Sequence, residues 1–210
     1  RTFPFFEGYK NEIRFYPIMS PGEGDFYIFA NLKNEKKLKI VLLNKYKFIN
    51  DETTLSININ HLLENLKIEE SDVETYTISY EAKNIGSPTR INMQLIYGEI
   101  NNCSIDSSVN VSLHNDDIFL PEKSSYETWG QILNIESYNS QIGICFGNFI
   151  EKNFLKDSIP ISLEIYDESG IIKKDIISIK NYQKYIINSK DINSDSKFLW
   201  VIVKSPKPYI

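Results

Sequence analysis

Residues Ile161–Ile179 read ISLEIYDESGIIKKDIISI. Ile161, Leu163 and Ile165 fall on one side of an extended chain and Ser162, Glu164 and Tyr166 on the other, the period of two of a half-buried strand. Asp167, Glu168, Ser169 and Gly170 then close a turn, with Gly170 able to take a positive φ, and IIKKDIISI returns as the second strand. One apolar face and one wet face are the mark of an antiparallel sheet.

The same alternation extends outward along the chain. Thr54–Asn60 (TLSININ) places Leu55, Ile57 and Ile59 on one face, Glu74–Lys83 and Ile91–Tyr97 behave alike, and Tyr185–Asn188 and Phe198–Val203 complete the set of strands. Pro21-Gly22 and Gly86-Ser87-Pro88 break the chain between such runs. Helix signal is confined to His61–Leu66 (HLLENL), short enough to read as a connection or a 3₁₀ turn, and His61 reads as the end of a strand.

The pattern also occurs twice. Asp25–Leu32 (DFYIFANL) has the outline of Gln141–Asn148 (QIGICFGN), and KLKIVLL at Lys37–Leu43 follows the first as ISLEIY at Ile161–Tyr166 follows the second. Each half then runs through a turn, a third apolar run and a polar loop into a strand ending in lysine, Lys83 or Lys204. The first half adds a final strand, RINMQLIYG, which the second lacks. Truncation after Ile210 is the favoured expectation, over an edge left open for another chain. The fold expected is all-β: two tandem antiparallel β-sandwich units related by internal duplication, at residues 1–114 and 115–210, with the boundary near Asn115–Pro121.

Bulk properties narrow the function classes. With 41% hydrophobic content, 210 residues bury a substantial core. A net charge of −5 gives the chain no electrostatic reason to hold a phosphate backbone, so nucleic-acid binding is not expected. No run approaches the ~18 apolar residues of a membrane span. Cys103 and Cys145 are too few for a disulfide framework; they read as two buried or half-buried thiols, with a single bridge as the alternative. No cofactor is implied.

The candidate site residues are Tyr126, Trp129, Gln131 and His114. Tyr126-Glu127-Thr128-Trp129-Gly130-Gln131 sets aromatic rings beside amide and hydroxyl groups, the chemistry by which sandwich domains stack on and hydrogen-bond sugars. The plainer reading makes Trp129 a core anchor, and Trp200, inside an apolar strand, reads as core. His114 with Asp116 and Asp117 is the sole His–carboxylate cluster, in a stretch that also reads as a linker. Asp191, Asn193 and Asp195 open like a calcium loop, but Ser196 stands at the glycine position and Ile202 at the bidentate-acid position, so no metal is expected. No nucleophile elbow, phosphate loop or selected carboxylate pair is present, so no catalytic residue is assigned.

The order of elements in the second half, a strand ending at Asn148, then ISLEIYDESG, a second hairpin strand, YIINSKDI and FLWVIVKSPKP, resembles the small β-sandwich domain of the sensory rhodopsin transducer family. That resemblance implies a compact antiparallel sandwich, oligomerisation and a partner-binding role. The expectation for the chain is therefore a non-enzymatic binding or assembly module whose ligand is a glycan or a protein partner, a homo-oligomer being one form of such assembly. The alternatives are a carbohydrate-active enzyme with loop carboxylates and an oligomeric signalling or transducer module.

Overall fold

A computed structural model of the chain describes residues 1–16, 23–33, 39–49, 55–83, 90–99, 107–114, 126–137, 139–147 and 158–206. The chain divides into two compact units, Arg1 with Phe3–Phe119 and Thr2 with Leu120–Ile210. Both are built from antiparallel sheets, and the fold is all-β.

In the second unit the strands are β9 (Tyr126–Leu133), β10 (Gln141–Cys145), β11 (Ser158–Asp167), β12 (Gly170–Lys180), β13 (Lys184–Asn188) and β14 (Phe198–Ser205). The hairpin read from Ile161–Ile179 is β11 and β12, and Gly170 sits at φ 123°, a backbone that a Cβ would strain. Asp167 Oδ1 accepts hydrogen bonds from the Ser169 amide and hydroxyl and so folds the turn onto itself. A four-stranded sheet has the order β12-β11-β14-β9, and β10 and β13 form a second, two-stranded sheet. Ile161, Leu163 and Ile165 of β11, Leu199, Val201 and Val203 of β14 and Ile144 and Ile187 of the small sheet share one core.

The first unit contains β1 (Thr2–Pro4), β2 (Tyr9–Phe15), β3 (Glu23–Leu32), β4 (Lys39–Ile49), β5 (Leu55–Asn58), β6 (Val73–Lys83), β7 (Arg90–Glu99) and β8 (Ser107–His114). They form two four-stranded sheets, β1-β6-β3-β4 and β5-β2-β7-β8. Phe26 and Ile28 of β3 and Tyr76 and Ile78 of β6 meet Ile13 and Phe15 of β2 and Met93 and Leu95 of β7 in one core, so the sheets pack as a sandwich. Asn31, at the end of β3, is fully buried because its amide donates to Thr75 and Thr77 of β6.

Two local expectations need correction. The strand at Thr54–Asn60 ends at Asn58, and His61 lies in a helix, α1 (Ile59–Asn65), rather than at a strand end. Asn58 caps α1 by accepting from the His61 amide at 3.1 Å, and Ile59, Leu62 and Leu63 are buried. Tertiary burial thus sustains a helix of seven residues, a length that is marginal alone.

The second correction concerns the repeat. Sheet β4-β3-β6-β1 and sheet β12-β11-β14-β9 follow the same order, each with a hairpin at one end and the last strand of the set inserted next to it. β2 with β5 likewise matches β10 with β13. In that order β3 corresponds to β11. The similarity of DFYIFANL to QIGICFGN joins strands of different position, because β10 pairs with β13 in the small sheet. Apolar alternation is common to every strand here and does not mark place in a sheet.

A candidate binding face on the second unit

β11 buries Ile161, Leu163 and Ile165 on its core side, so Ser162, Glu164 and Tyr166 point to the other side of the sheet. Cross-strand register extends that side into rows. Trp129 of β9 lies opposite Ile202 of β14, Ile202 opposite Glu164, and Glu164 opposite Lys174 of β12. The next row runs Gln131, Trp200, Tyr166 and Ile171, and a short third row adds Leu133 and Phe198. On the other side of Trp129, Glu127 lies opposite Lys204, Lys204 opposite Ser162, and Ser162 opposite Ile176.

This outer face carries several exposed apolar side chains among its charged and polar ones. Trp129 is 71% exposed and Ile176 76%, with Ile171, Phe198 and Leu133 also exposed on it. These are five of the nine exposed large hydrophobic residues found among the described residues. Single exposed apolar residues need no explanation, whereas a contiguous cluster marks a contact surface.

A charged row crosses the face. Glu164 is buried and its Oε1 lies 2.7 Å from Lys174 Nζ, while its Oε2 lies 3.0 Å from Lys204 Nζ and accepts from Tyr166 Oη at 2.9 Å. Lys174, then Lys204 and Tyr166, hold its carboxyl down at about 2. Bonding to this carboxylate also raises the Tyr166 hydroxyl and the Lys204 ammonium above their usual values. A carboxylate held in this way stays ionised and is tuned opposite to a general acid, whose carboxyl must be raised. It pairs with two lysines in the middle of the face.

The sequence-derived candidates separate. Trp129 and Gln131 share the outer face. Tyr126, three residues before Trp129, faces the core side and is half-buried, since odd spacing in a strand reverses direction. His114 ends β8 in the first unit, paired with Arg90, and Asp116 and Asp117 lie outside the described residues. Trp129 is therefore no core anchor. Trp200 is also not core: it is half-buried on the outer face, because Leu199, Val201 and Val203 take the inward positions of β14.

The Asp191–Asp195 segment has a structural explanation. Ser189–Asp191 is a 3₁₀ turn in which Asp191 accepts from the Asn188 amide side chain, and Asn134 donates to the carbonyls of Ser194 and Ser196 to anchor the loop that leads into β14. Asp167 accepts from the Ser194 hydroxyl, and the Ser169 and Ser194 bonds lower its carboxyl. Among the described residues no group of three His, Cys, Asp or Glu side chains gathers to hold a metal. Cys145 carries a free thiol that burial pushes up to about 12, and Cys103 lies outside the described residues.

Glu164, Lys174 and Lys204 carry no signal in the sequence that marks them as a cluster. Counting back from the Asp167–Gly170 turn sets Glu164 opposite Lys173; a register shift between Ile165 and Tyr166 brings Lys174 there instead. Among the described residues no helix is long and apolar enough to cross a membrane. Comparison with family models, with curated proteins and with solved structures gives no match to this chain, and so nothing bears on the resemblance to the transducer domains.

Proposed function

We propose that the chain is a non-enzymatic binding or assembly module, and that the outer face of β9, β14, β11 and β12 is its contact surface for a protein partner. The observation that carries the reading is the gathering of Trp129, Ile176, Ile171, Phe198 and Leu133 on one sheet face. Covering a mostly exposed side chain of this size yields roughly 1.5–3 kcal/mol, so a few such residues offset the cost of association. The ion-paired Glu164 row leaves the face close to neutral, which suits an apolar partner surface better than a charged one.

Aliphatic side chains argue for protein over sugar, because sugar rings stack on aromatic planes. Trp129 beside Gln131 and Trp200 is the observation that favours the glycan reading. A photo-reactive amino acid at position 129 of the full chain, activated in the source cell, separates the two. The protein reading expects one discrete cross-linked species that disappears with Ile176→Glu across the sheet. Retardation in polysaccharide gels that Trp129→Ala removes, without any cross-linked protein, would transfer the site to a glycan. Neither result at either position would sink the assignment of this face.

A further inference from the structure

We infer that a cavity on the core side of the second unit, between β12 and β13, is a binding site for a small zwitterion with an aliphatic side chain, an α-amino acid of about the size of leucine. The site lies on the opposite side of the sheet from the outer face described above and does not depend on it.

The cavity follows from how the two units fill the same place. In the first unit α1 follows β5 and packs beside β4, and its Leu62 and Leu63 share one core with Leu43 of β4. In the matching order of the second unit β13 corresponds to β5 and β12 to β4. There β13 is followed by a single 3₁₀ turn, Ser189–Asp191, in which only Ser189 is buried. This turn and the residue after it bring Asp191 and Ile192 to the place that two leucines fill in the first unit. A cavity of about 150 Å³ is left, lined among others by Leu163, Ile165, Lys173, Ile187, Asp191 and Ile192.

The floor of the cavity is aliphatic. Leu163, Ile165 and Ile187 are buried core residues, and Ile192 is half-buried against the same core. A cavity of this volume with aliphatic walls admits one molecule of roughly benzene size, so the apolar part of the occupant is limited to about four to six carbons.

The mouth carries charges of both signs. Lys173 lies opposite Ile165 and so points to the core side of β12, yet its side chain is 47% exposed and its ion pair with Asp175 is a loose one of 3.8 Å. Asp191 is exposed and held in place: Asn188 Nδ2 donates to its Oδ2 at 2.9 Å. The turn that carries it is pinned through Ser189, whose amide donates to the Ser140 carbonyl and whose hydroxyl accepts from the Ser140 amide. An ammonium and a carboxylate at the rim of one aliphatic cavity complement a ligand that carries a carboxylate and an ammonium beside an aliphatic side chain. A hydrocarbon would use the floor alone, and a simple amine or carboxylic acid would leave one of the two charges unanswered.

The test is a titration of the amide NMR spectrum of the full chain with L-leucine, which is expected to give saturable shifts centred on Lys173, Ile187 and Ile192. Glycine, 4-methylpentanoate and isopentylamine, which lack the side chain, the ammonium and the carboxylate in turn, are each expected to bind about tenfold more weakly or worse. Lys173→Gln should weaken leucine about tenfold and leave isopentylamine unchanged, and Asp191→Asn should weaken leucine about tenfold and leave 4-methylpentanoate unchanged. Both positions are exposed, and the same spectra show whether each variant keeps its fold. The absence of saturable shifts with leucine, shifts away from the cavity, or glycine or either singly charged analogue binding as tightly as leucine overturns the inference.

Discussion

Ile132 and Trp129 are near neighbours on β9 with opposite fates, and the difference sets up a paired test of the face assignment. Ile132 is 1% exposed and lies opposite Leu199 in the core, so Ile132→Ala removes buried methylenes and leaves a cavity. The expected loss is roughly 2–5 kcal/mol. Trp129 is 71% exposed and has Ile202 as its cross-strand partner. Trp129→Ala is expected to cost no more than about 0.5–1 kcal/mol, the usual value of such a pair. The chain has two tryptophans, Trp129 and Trp200, both in the second unit, so tryptophan fluorescence reports on that unit alone, and Trp200 serves as the probe in Trp129→Ala. Urea titrations of both variants give the midpoints directly. In a domain of this size each kcal/mol moves Tm by roughly 4–8 °C, which makes the contrast plain by melting as well. A loss above about 2 kcal/mol in Trp129→Ala would show the indole to be part of the core and remove the basis for a binding face.

Three further outcomes are expected. The Glu164 carboxyl is held below its ordinary 4.5, at about 2, so the unfolded chain takes up the proton first: the second unit keeps this stabilisation above pH ~4.5 and loses it as pH falls toward ~2. Glu164→Gln should flatten the fall of the urea midpoint over that window, and equal slopes in the two proteins would show the lysine clamp to be unimportant. Asn58→Ala removes the cap of α1 and should cost the first unit about 1 kcal/mol, with Asn58→Asp restoring it, read by amide exchange across Ile59–Leu63. A Cβ on Gly24 would collide with the Tyr80 ring, so Gly24→Ala should destabilise the first unit by roughly 1–3 kcal/mol in a thermal melt; a neutral result would mean the ring can swing away.

Part of the candidate site is legible without any coordinates. That Trp129 and Gln131 share a face follows from their spacing of two, and the same rule applied to Tyr126 sets it on the opposite side. Trp200 is misplaced by the sequence for a different reason. FLWVIV is apolar at every position, so the string carries no alternation to read, and only the buried Leu199, Val201 and Val203 reveal which side faces inward. His114 stands out through its neighbours in the chain, a criterion that says nothing about neighbours in space.

Local sequence is sufficient for the all-β class, for the β11–β12 hairpin and for its turn, because each depends on contacts a few residues apart: a period of two, an Asp that folds back on Ser169, and a glycine at positive φ. Tertiary structure alone decides the rest. The clamp on Glu164 requires β12 and β14 to flank β11, with one residue of register slip moving Lys174 into place. The exposed face exists because one side of a four-stranded sheet meets the core and the other does not. Both are properties of which strands become neighbours, and strand order is set by long-range packing that no local pattern of apolar residues encodes.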